Sequence, residues 1–460
     1  MYTMVAPWQT RVGHAMFLGR GSAAGLACGA VALGLLARGY RLPGSRVKLR
    51  GIFWVFNAAC DACGRCQTLD VARLDALHEE VLDAERLAFD DDEGSDRAKR
   101  ELFAIQVAGV DAAGNRFTPL GRLLFSKDLE QRLRRRLVLA TALSSAPRPS
   151  KSTMAPVVIV GLPRTGSTLL HRLLAKDPAY RSPRYWELAH DSDDVSPPLD
   201  PIADDPRATA VQAGFAKLAA LSPNGLAEFF KFHKVDAYEV EEVTSLVRRY
   251  FFDMETALLA PSAVAKRTAW LQSDAVDRTF VIRHLRRWLD FVEPDRAWIL
   301  KSPALTAFLP EVLEVFPDAT VVFTSRDPKK VAPSLCGLNE VACSVKYDYR
   351  RGLAPVGAAV LGRLAAYADG QRAFVAARPN RGLLLDYTNL ARSPLAAAKL
   401  VYAHAKRPLA PDVEADMRRH LADNEQHKHG KPDYDLERFG LAAADVDRRF
   451  RDYAPFHAPP

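Results

Sequence analysis

Residues 157–170 read VVIVGLPRTGSTLL, an apolar β-branched run, a tight Gly-Pro turn, and three hydroxyl residues opening a helical segment. A strand that turns this sharply into a helix leaves the first helical N–H groups without intrahelical partners, at the positive end of the helix dipole. The amides of Thr165, Gly166, Ser167 and Thr168 therefore form a cup for phosphate or sulfate, and a phosphorylated cofactor is the expected ligand. Gly161, Gly166, Ser167 and Thr168 fit the Walker frame GxxxxGK[ST], except that serine replaces the lysine that reaches the β- and γ-phosphates. That replacement argues against hydrolysis of a nucleoside triphosphate. The basic side chain of the loop is Arg164 instead.

A second apolar strand, 321–324, leads to Arg326, and a short helix beginning near Pro328 brings Ser334 round. A guanidinium fork and a hydroxyl together hold a dianionic phosphate. Taken alone, the same residues also suit an Arg-Asp ion pair capping a helix. Further strands at 298–300, followed by Lys301, and at 383–385 alternate with helical stretches. This alternation predicts an α/β fold: a P-loop-type parallel sheet flanked by helices, with a helical extension before it. Ligands of such sheets bind at the carboxyl ends of the strands, where both anion motifs and Lys301 fall.

The chain divides into a leader, 1–66, a helical extension, 67–150, and the sheet-bearing part, 151–460. Residues 69–143 read as helices interrupted by a Gly/Asp-rich loop at 90–95, and 146–156 is a linker rich in Pro, Ser and Lys. The helix-rich stretch 206–292 is expected to cover the cleft. A net charge of +8 and a pI near 9.1 favour anionic ligands. Nucleic acid is not expected as a partner, because the chain has no zinc finger, arginine-rich arm or aromatic-basic motif.

The leader carries an apolar run, 22–37, flanked by Arg20 and Arg38, and no acidic residue precedes Asp61. It suits a membrane-associated segment or an organelle transit peptide, and a cytoplasmic location stays open beside them. Cys60, Cys63 and Cys66 have metal or iron-sulfur spacing but no fourth ligand close by, so they read first as reduced thiols. Cys336 and Cys343 are expected to pack in the core beside the Ser334 helix.

The loop Pro163-Arg164-Thr165-Gly166-Ser167-Thr168 resembles the 5'-phosphosulfate loop of sulfotransferases, which use 3'-phosphoadenosine-5'-phosphosulfate (PAPS). Arg326 and Ser334 resemble that family's 3'-phosphate pair. Residues 297–323 and 417–441 continue the resemblance, and in relatives the basic loop holding Lys428, Gly430 and Lys431 lies over the nucleotide. The match is to the Sulfotransfer_3-like branch, since Arg164 stands where the small-phenol cytosolic branch has lysine. One departure is that relatives often carry a histidine where this chain has Leu305, and no role is carried over to that position.

What the resemblance implies is transfer of a sulfonate group from PAPS, as co-substrate, to a hydroxyl or amine of a small-molecule, lipid or carbohydrate acceptor. Arg164, the loop amides and the hydroxyls of Ser167 and Thr168 would stabilise charge on the departing phosphate oxygen, with Lys301 as a second cation, so that no metal is required. Residues 232–251 resemble a family segment with a histidine before a Glu-Glu pair, mapping to His233 and to Glu241 and Glu242. Val240, Val243, Val247 and Phe251 fall on one face if this stretch is helical. Glu242 is the first choice of base, with Glu241 and His233 behind it. The competing reading pairs Glu239, Glu241 and Glu242 with Arg248 and Arg249 on a solvated face. Two rival functions stand beside this one: a P-loop kinase or NTPase, and a sulfotransferase-fold protein that binds without turnover. All of it requires Arg164 and Arg326 to lie close enough for one nucleotide to bridge them.

Overall fold

The computed structural model describes residues 70–146, 155–189, 205–423 and 435–453, a few isolated positions apart, and before them an antiparallel pair, Gly39–Arg41 with Lys48–Arg50. The apolar run 22–37, Cys60, Cys63, Cys66, Lys428, Gly430 and Lys431 lie outside the described residues. Among the described residues, no helix is long and apolar enough to cross a membrane.

Five parallel strands form one sheet in the order β2-β3-β1-β4-β5. They are β1 (Val157–Gly161), β2 (Tyr180–Arg181), β3 (Ala297–Lys301), β4 (Thr320–Ser325) and β5 (Gly382–Asp386). β1 lies in the middle and is buried along its whole length, which is why it reads as a continuous apolar run rather than an alternation. The period of two still operates across the sheet. Val158 and Val160 point into one core with residues of the N-terminal helices, such as Leu102 and Phe125, whereas Val157 and Ile159 point into a second core with Leu170, Leu173 and Met417. Each such buried side chain stabilises the fold by about 1.5–3 kcal/mol relative to exposure.

The helices used below are α1 (Val71–Phe89), α2 (Glu93–Asp111), α3 (Pro119–Ser145), α4 (Ser167–Leu174), α5 (Gly225–Phe232), α6 (Pro261–Leu271), α7 (Pro328–Ala342) and α8 (Ala354–Ala377). Two expectations are corrected here. The loop expected at 90–95 is already helical from Glu93, because Asp92 caps α2 by accepting a hydrogen bond from Ser95 N at 2.7 Å. The amphipathic helix expected through Val240 and Phe251 is confined to Thr244–Arg248. Upstream of it the backbone is tied to neighbouring segments: Val240 bridges Arg184, Glu241 N donates to Pro183 O at 2.8 Å, and Val243 N donates to Lys301 O at 3.1 Å. Those bonds hold the Glu-Glu pair against the end of β3.

Candidate active site

The loop between β1 and α4 needs three left-handed residues, and two of them are glycines. At Gly161, with φ near +104°, a Cβ would stand 2.9 Å from Thr324 O; at Gly166, with φ near +81°, it would stand 2.8 Å from Leu390 Cδ2. The third is Arg164, with φ near +65°, a conformation that costs a side-chain-bearing residue about 1–3 kcal/mol. Three hydrogen bonds hold it there. Its guanidinium donates to Phe232 O at 2.6 Å and to Ser334 Oγ at 3.1 Å, and its carbonyl accepts from the Arg326 guanidinium at 3.1 Å.

Gly166 caps α4 without any side-chain hydrogen bond, so the amides of the first turn are left open to the cleft. Ser167 and Thr168 line that cleft, whereas Thr165 is fully buried and turns its hydroxyl to Leu162 O at 2.7 Å and to the Thr324 hydroxyl at 2.6 Å.

Arg326 follows β4 and lies 4.1 Å over the ring of Tyr387. Asp327 is engaged in capping α7, where its side chain accepts from Lys329 N, so the Arg-Asp pairing considered from the sequence does not form. α7 runs for 15 residues rather than the short helix expected, with Ser334 and Cys336 buried within it and the buried Cys343 at its end.

Lys301, at the end of β3, is only 2% exposed; it donates to Thr168 Oγ1 at 3.1 Å and forms an ion pair with Glu242. Thr244 Oγ1 donates to the other oxygen of Glu242 at 2.8 Å and shares a 2.8 Å hydrogen bond with Ser302. Glu241 is buried and takes His233 Nε2 at 2.9 Å and Glu242 N at 2.8 Å. Burial by itself would raise the Glu241 carboxyl, but the charge and hydrogen bond of His233, with Lys301 nearby, hold it down at about 2. His171, on α4, is buried beside these groups, and burial reinforced by the Lys301 charge lowers its imidazole to about 3, so it stays neutral.

The surface pairing of the glutamates with Arg248 and Arg249 gives way to other partners. Arg248 binds Asp128 and Glu255, and Glu239 pairs with Arg172.

These groups converge on one cavity of about 400 Å³. Arg164, His233, Glu242, Lys301 and Arg326 form its polar wall, and Phe229, Leu335 and Leu338 its apolar one. Thr165, Glu241 and Ser334 are buried behind that wall. Arg164, Arg326 and Ser334, separated in the chain, thus meet at the carboxyl ends of β1 and β4.

Residues 156–411 match the model of the sulfotransferase family. The chain belongs to that family. It is similar to the crystal structure of sulfotransferase STF1 from Mycobacterium tuberculosis, with 25% identity and a TM-score of 0.66, covering 84% of this chain and 100% of that one. Sulfotransferase STF9 from Mycobacterium avium has the same fold, with 24% identity and a TM-score of 0.67, covering 82% of this chain and 95% of that one. No curated protein matches the chain at a significant level. Membership in the sulfotransferases sets aside the kinase or NTPase alternative.

In this sulfotransferase several side chains at the cleft were missed by sequence reasoning. Ser302 adjoins Lys301 and Thr244 lies two residues beyond Glu242, and a hydroxyl close in sequence to a charged group is a weak but usable signal. Tyr387, stacked under Arg326, and His171, behind Lys301, carry no local signal, because tertiary packing alone brings them there.

Proposed function

We propose that this sulfotransferase uses PAPS as donor and transfers its sulfonate to a hydroxyl or amine, releasing adenosine 3',5'-bisphosphate. The observation that carries the reading is the meeting of Arg164, Arg326 and Ser334 beside an uncapped helix start: a bisphosphorylated nucleotide needs two anion grips within one molecule's reach. The acceptor atom attacks sulfur, the S–O bond to the 5'-phosphate breaks, and the electron pair remains on the phosphate oxygen. Arg164, Lys301 and the amides of Gly166, Ser167 and Thr168 stabilise that growing charge.

For the acceptor proton we assign His233 ahead of Glu242. Both oxygens of Glu242 are engaged, one by Lys301 and one by Thr244, so its part is to position Lys301. His233 lines the cavity with Nε2 held by Glu241, and the tautomer that donates from Nε2 leaves Nδ1 to accept a proton.

The test is a thermal-shift comparison of adenosine 3',5'-bisphosphate with ATP. At a hundred times its dissociation constant the bisphosphate stabilises the protein by about 2.7 kcal/mol. Equal or stronger stabilisation by ATP overturns the donor assignment, and PAPS binding without bisphosphate release across hydroxyl and amine acceptors overturns the assignment of turnover.

A further inference from the structure

The carboxylates that line the cleft are already taken, Glu242 by Lys301 and Glu255 by Lys346 and Arg248. They leave over Arg363, a half-buried arginine of α8 that lines the same cleft. It stands four residues before Tyr367, so the two side chains share one helix face. Arg363 Nε donates to Tyr367 Oη at 2.9 Å, and the guanidinium lies 5.4 Å from the centre of that ring. Among the described residues Arg363 forms no ion pair, and its two terminal nitrogens make no hydrogen bond. Tyr367 accepts on its oxygen, which leaves its own hydroxyl proton to donate in turn.

Arg326 is in a similar state. It too lies over a tyrosine ring, 4.1 Å from that of Tyr387, and forms no ion pair among the described residues; in the proposed transfer it grips the 3'-phosphate. Arg363 repeats this elsewhere in the cleft. With Ala304 and Tyr367 it borders a second cavity, between α6 and α8, that is lined by none of the residues assigned to the nucleotide. No Asp or Glu lines that cavity, so nothing on its walls repels an anion. The other arginines there are engaged with the protein: Arg116 donates to Leu258 O at 3.0 Å, and Arg267 stands over Phe252. One guanidinium fork and one hydroxyl match a singly charged, planar carboxylate, whereas a dianionic phosphate calls for a second cation.

We infer that the acceptor carries a carboxylate, held by Arg363 and Tyr367, apart from the hydroxyl or amine that it presents to His233 and Lys301. The inference rests on the sulfonate transfer proposed above and names the class of acceptor. Arg363, His233 and Lys301 line one cavity, so a single small molecule reaches all three. The carboxylate is bound and not consumed. It supplies the counter-charge that the half-buried guanidinium lacks, and it fixes the orientation of the acceptor before sulfur is attacked.

The probes are unbranched ω-hydroxy acids from hydroxybutanoate to hydroxydecanoate, hydroxyphenylacetate, the methyl ester of each, and ω-hydroxyalkyl phosphates of matching length. Each is titrated by calorimetry into the full-length protein saturated with adenosine 3',5'-bisphosphate, native and Arg363→Met. Arg363 has no ion partner among the described residues to leave uncompensated, so the variant folds, and its melting temperature checks this. In the native protein the best acid binds about 10- to 100-fold more tightly than its ester. In Arg363→Met that ratio falls to about one, and Arg363→Lys, which keeps the charge without the fork, recovers part of it. With PAPS as donor the same ratio appears in KM for sulfonation. Acids that bind no better than their esters, a ratio unchanged in Arg363→Met, or a phosphate bound more tightly than every acid overturns the inference. Weaker bisphosphate binding by Arg363→Met also overturns it, by placing the arginine on the nucleotide. A native protein that binds the bisphosphate but ignores the acids refutes the carboxylate alone, and one that does not bind the bisphosphate fails in the donor reading and takes this inference with it.

Discussion

In the helical layer Lys99 stands between Glu85, 2.9 Å away, and Asp91; in the cleft Lys301 stands between Glu242 and Thr168. The first cluster is sealed. Arg136 grips both oxygens of Glu85 at 2.8 Å, His284 Nε2 meets Asp91 at 2.8 Å, and none of these side chains is more than a few per cent exposed. Burial alone would raise Asp91, yet His284 and Lys99 bring it down to about 2. Glu85, Asp91 and His284 are near enough to one another to bind a metal, but the Lys99 ammonium already lies against both carboxylates. The cleft cluster has similar company and a cavity in front of it. Dense ion pairing and perturbed acids therefore mark packing as readily as chemistry, and what separates the two clusters is whether polar atoms reach a space that a ligand can enter.

Four experiments bear on this contrast. The largest effect belongs to the cleft: His233→Gln lowers turnover by about 10²- to 10⁴-fold while affinity for adenosine 3',5'-bisphosphate persists, and calorimetric titration beside steady-state rates checks both halves. An undiminished rate would return the proton to Glu242. Next, Lys99→Met leaves buried carboxylates uncompensated and costs about 3–5 kcal/mol of stability in urea unfolding, with turnover per folded molecule retained. A loss of turnover in the folded variant would break the division between the clusters.

Arg326→Ala removes a charge-assisted contact of about 1.5–3 kcal/mol and weakens bisphosphate binding roughly 10- to 100-fold, again by calorimetry. The smallest effect per step is that of one pH unit on one histidine. His78, in the helical layer, is lowered to about 3 by burial and then by Arg136, and His171, in the cleft, is lowered to about 3 by burial and then by Lys301. Between about 3 and about 6.5 the unfolded chain binds protons that the native state does not. Stability is therefore full above about pH 6.5 and falls by about 1.4 kcal/mol per pH unit for each histidine as acid is added. Melting temperatures across that window test it, and replacing either histidine by a residue that does not titrate removes its own share of the slope, about 1.4 kcal/mol per pH unit.

Four of the sheet's five strands were legible to within a residue or two: besides β1, 298–300 lies inside β3, 321–324 inside β4 and 383–385 inside β5, whereas the two-residue β2 was not expected. So were the turn after β1 and the arginine after β4, because turn chemistry and β-branched runs are encoded within a few consecutive residues. The stretch 233–243 was not. Its apolar spacing suits a helix, yet hydrogen bonds to Pro183 and Lys301 hold it against the sheet, and tertiary contacts override a weak local preference. Nor was the division of labour between the two glutamates legible. Adjacent in sequence, Glu241 goes to His233 and Glu242 to Lys301, a choice among partners of similar chemistry that depends on where three distant segments meet.

By itself the sequence determined a parallel α/β sheet, a tight turn into a helix after its first strand, an arginine at the end of the strand that holds Thr324, and resemblance to the sulfotransferases. Tertiary structure alone decided that Arg164 bonds the Phe232 carbonyl and Ser334, that Tyr387 lies under Arg326, and that His171 packs behind Lys301. The physical reason is range. Propensity and turn geometry act over a few residues and can be read locally, whereas a hydrogen bond or a cavity depends on the relative placement of segments far apart in the chain, which only the packed core settles.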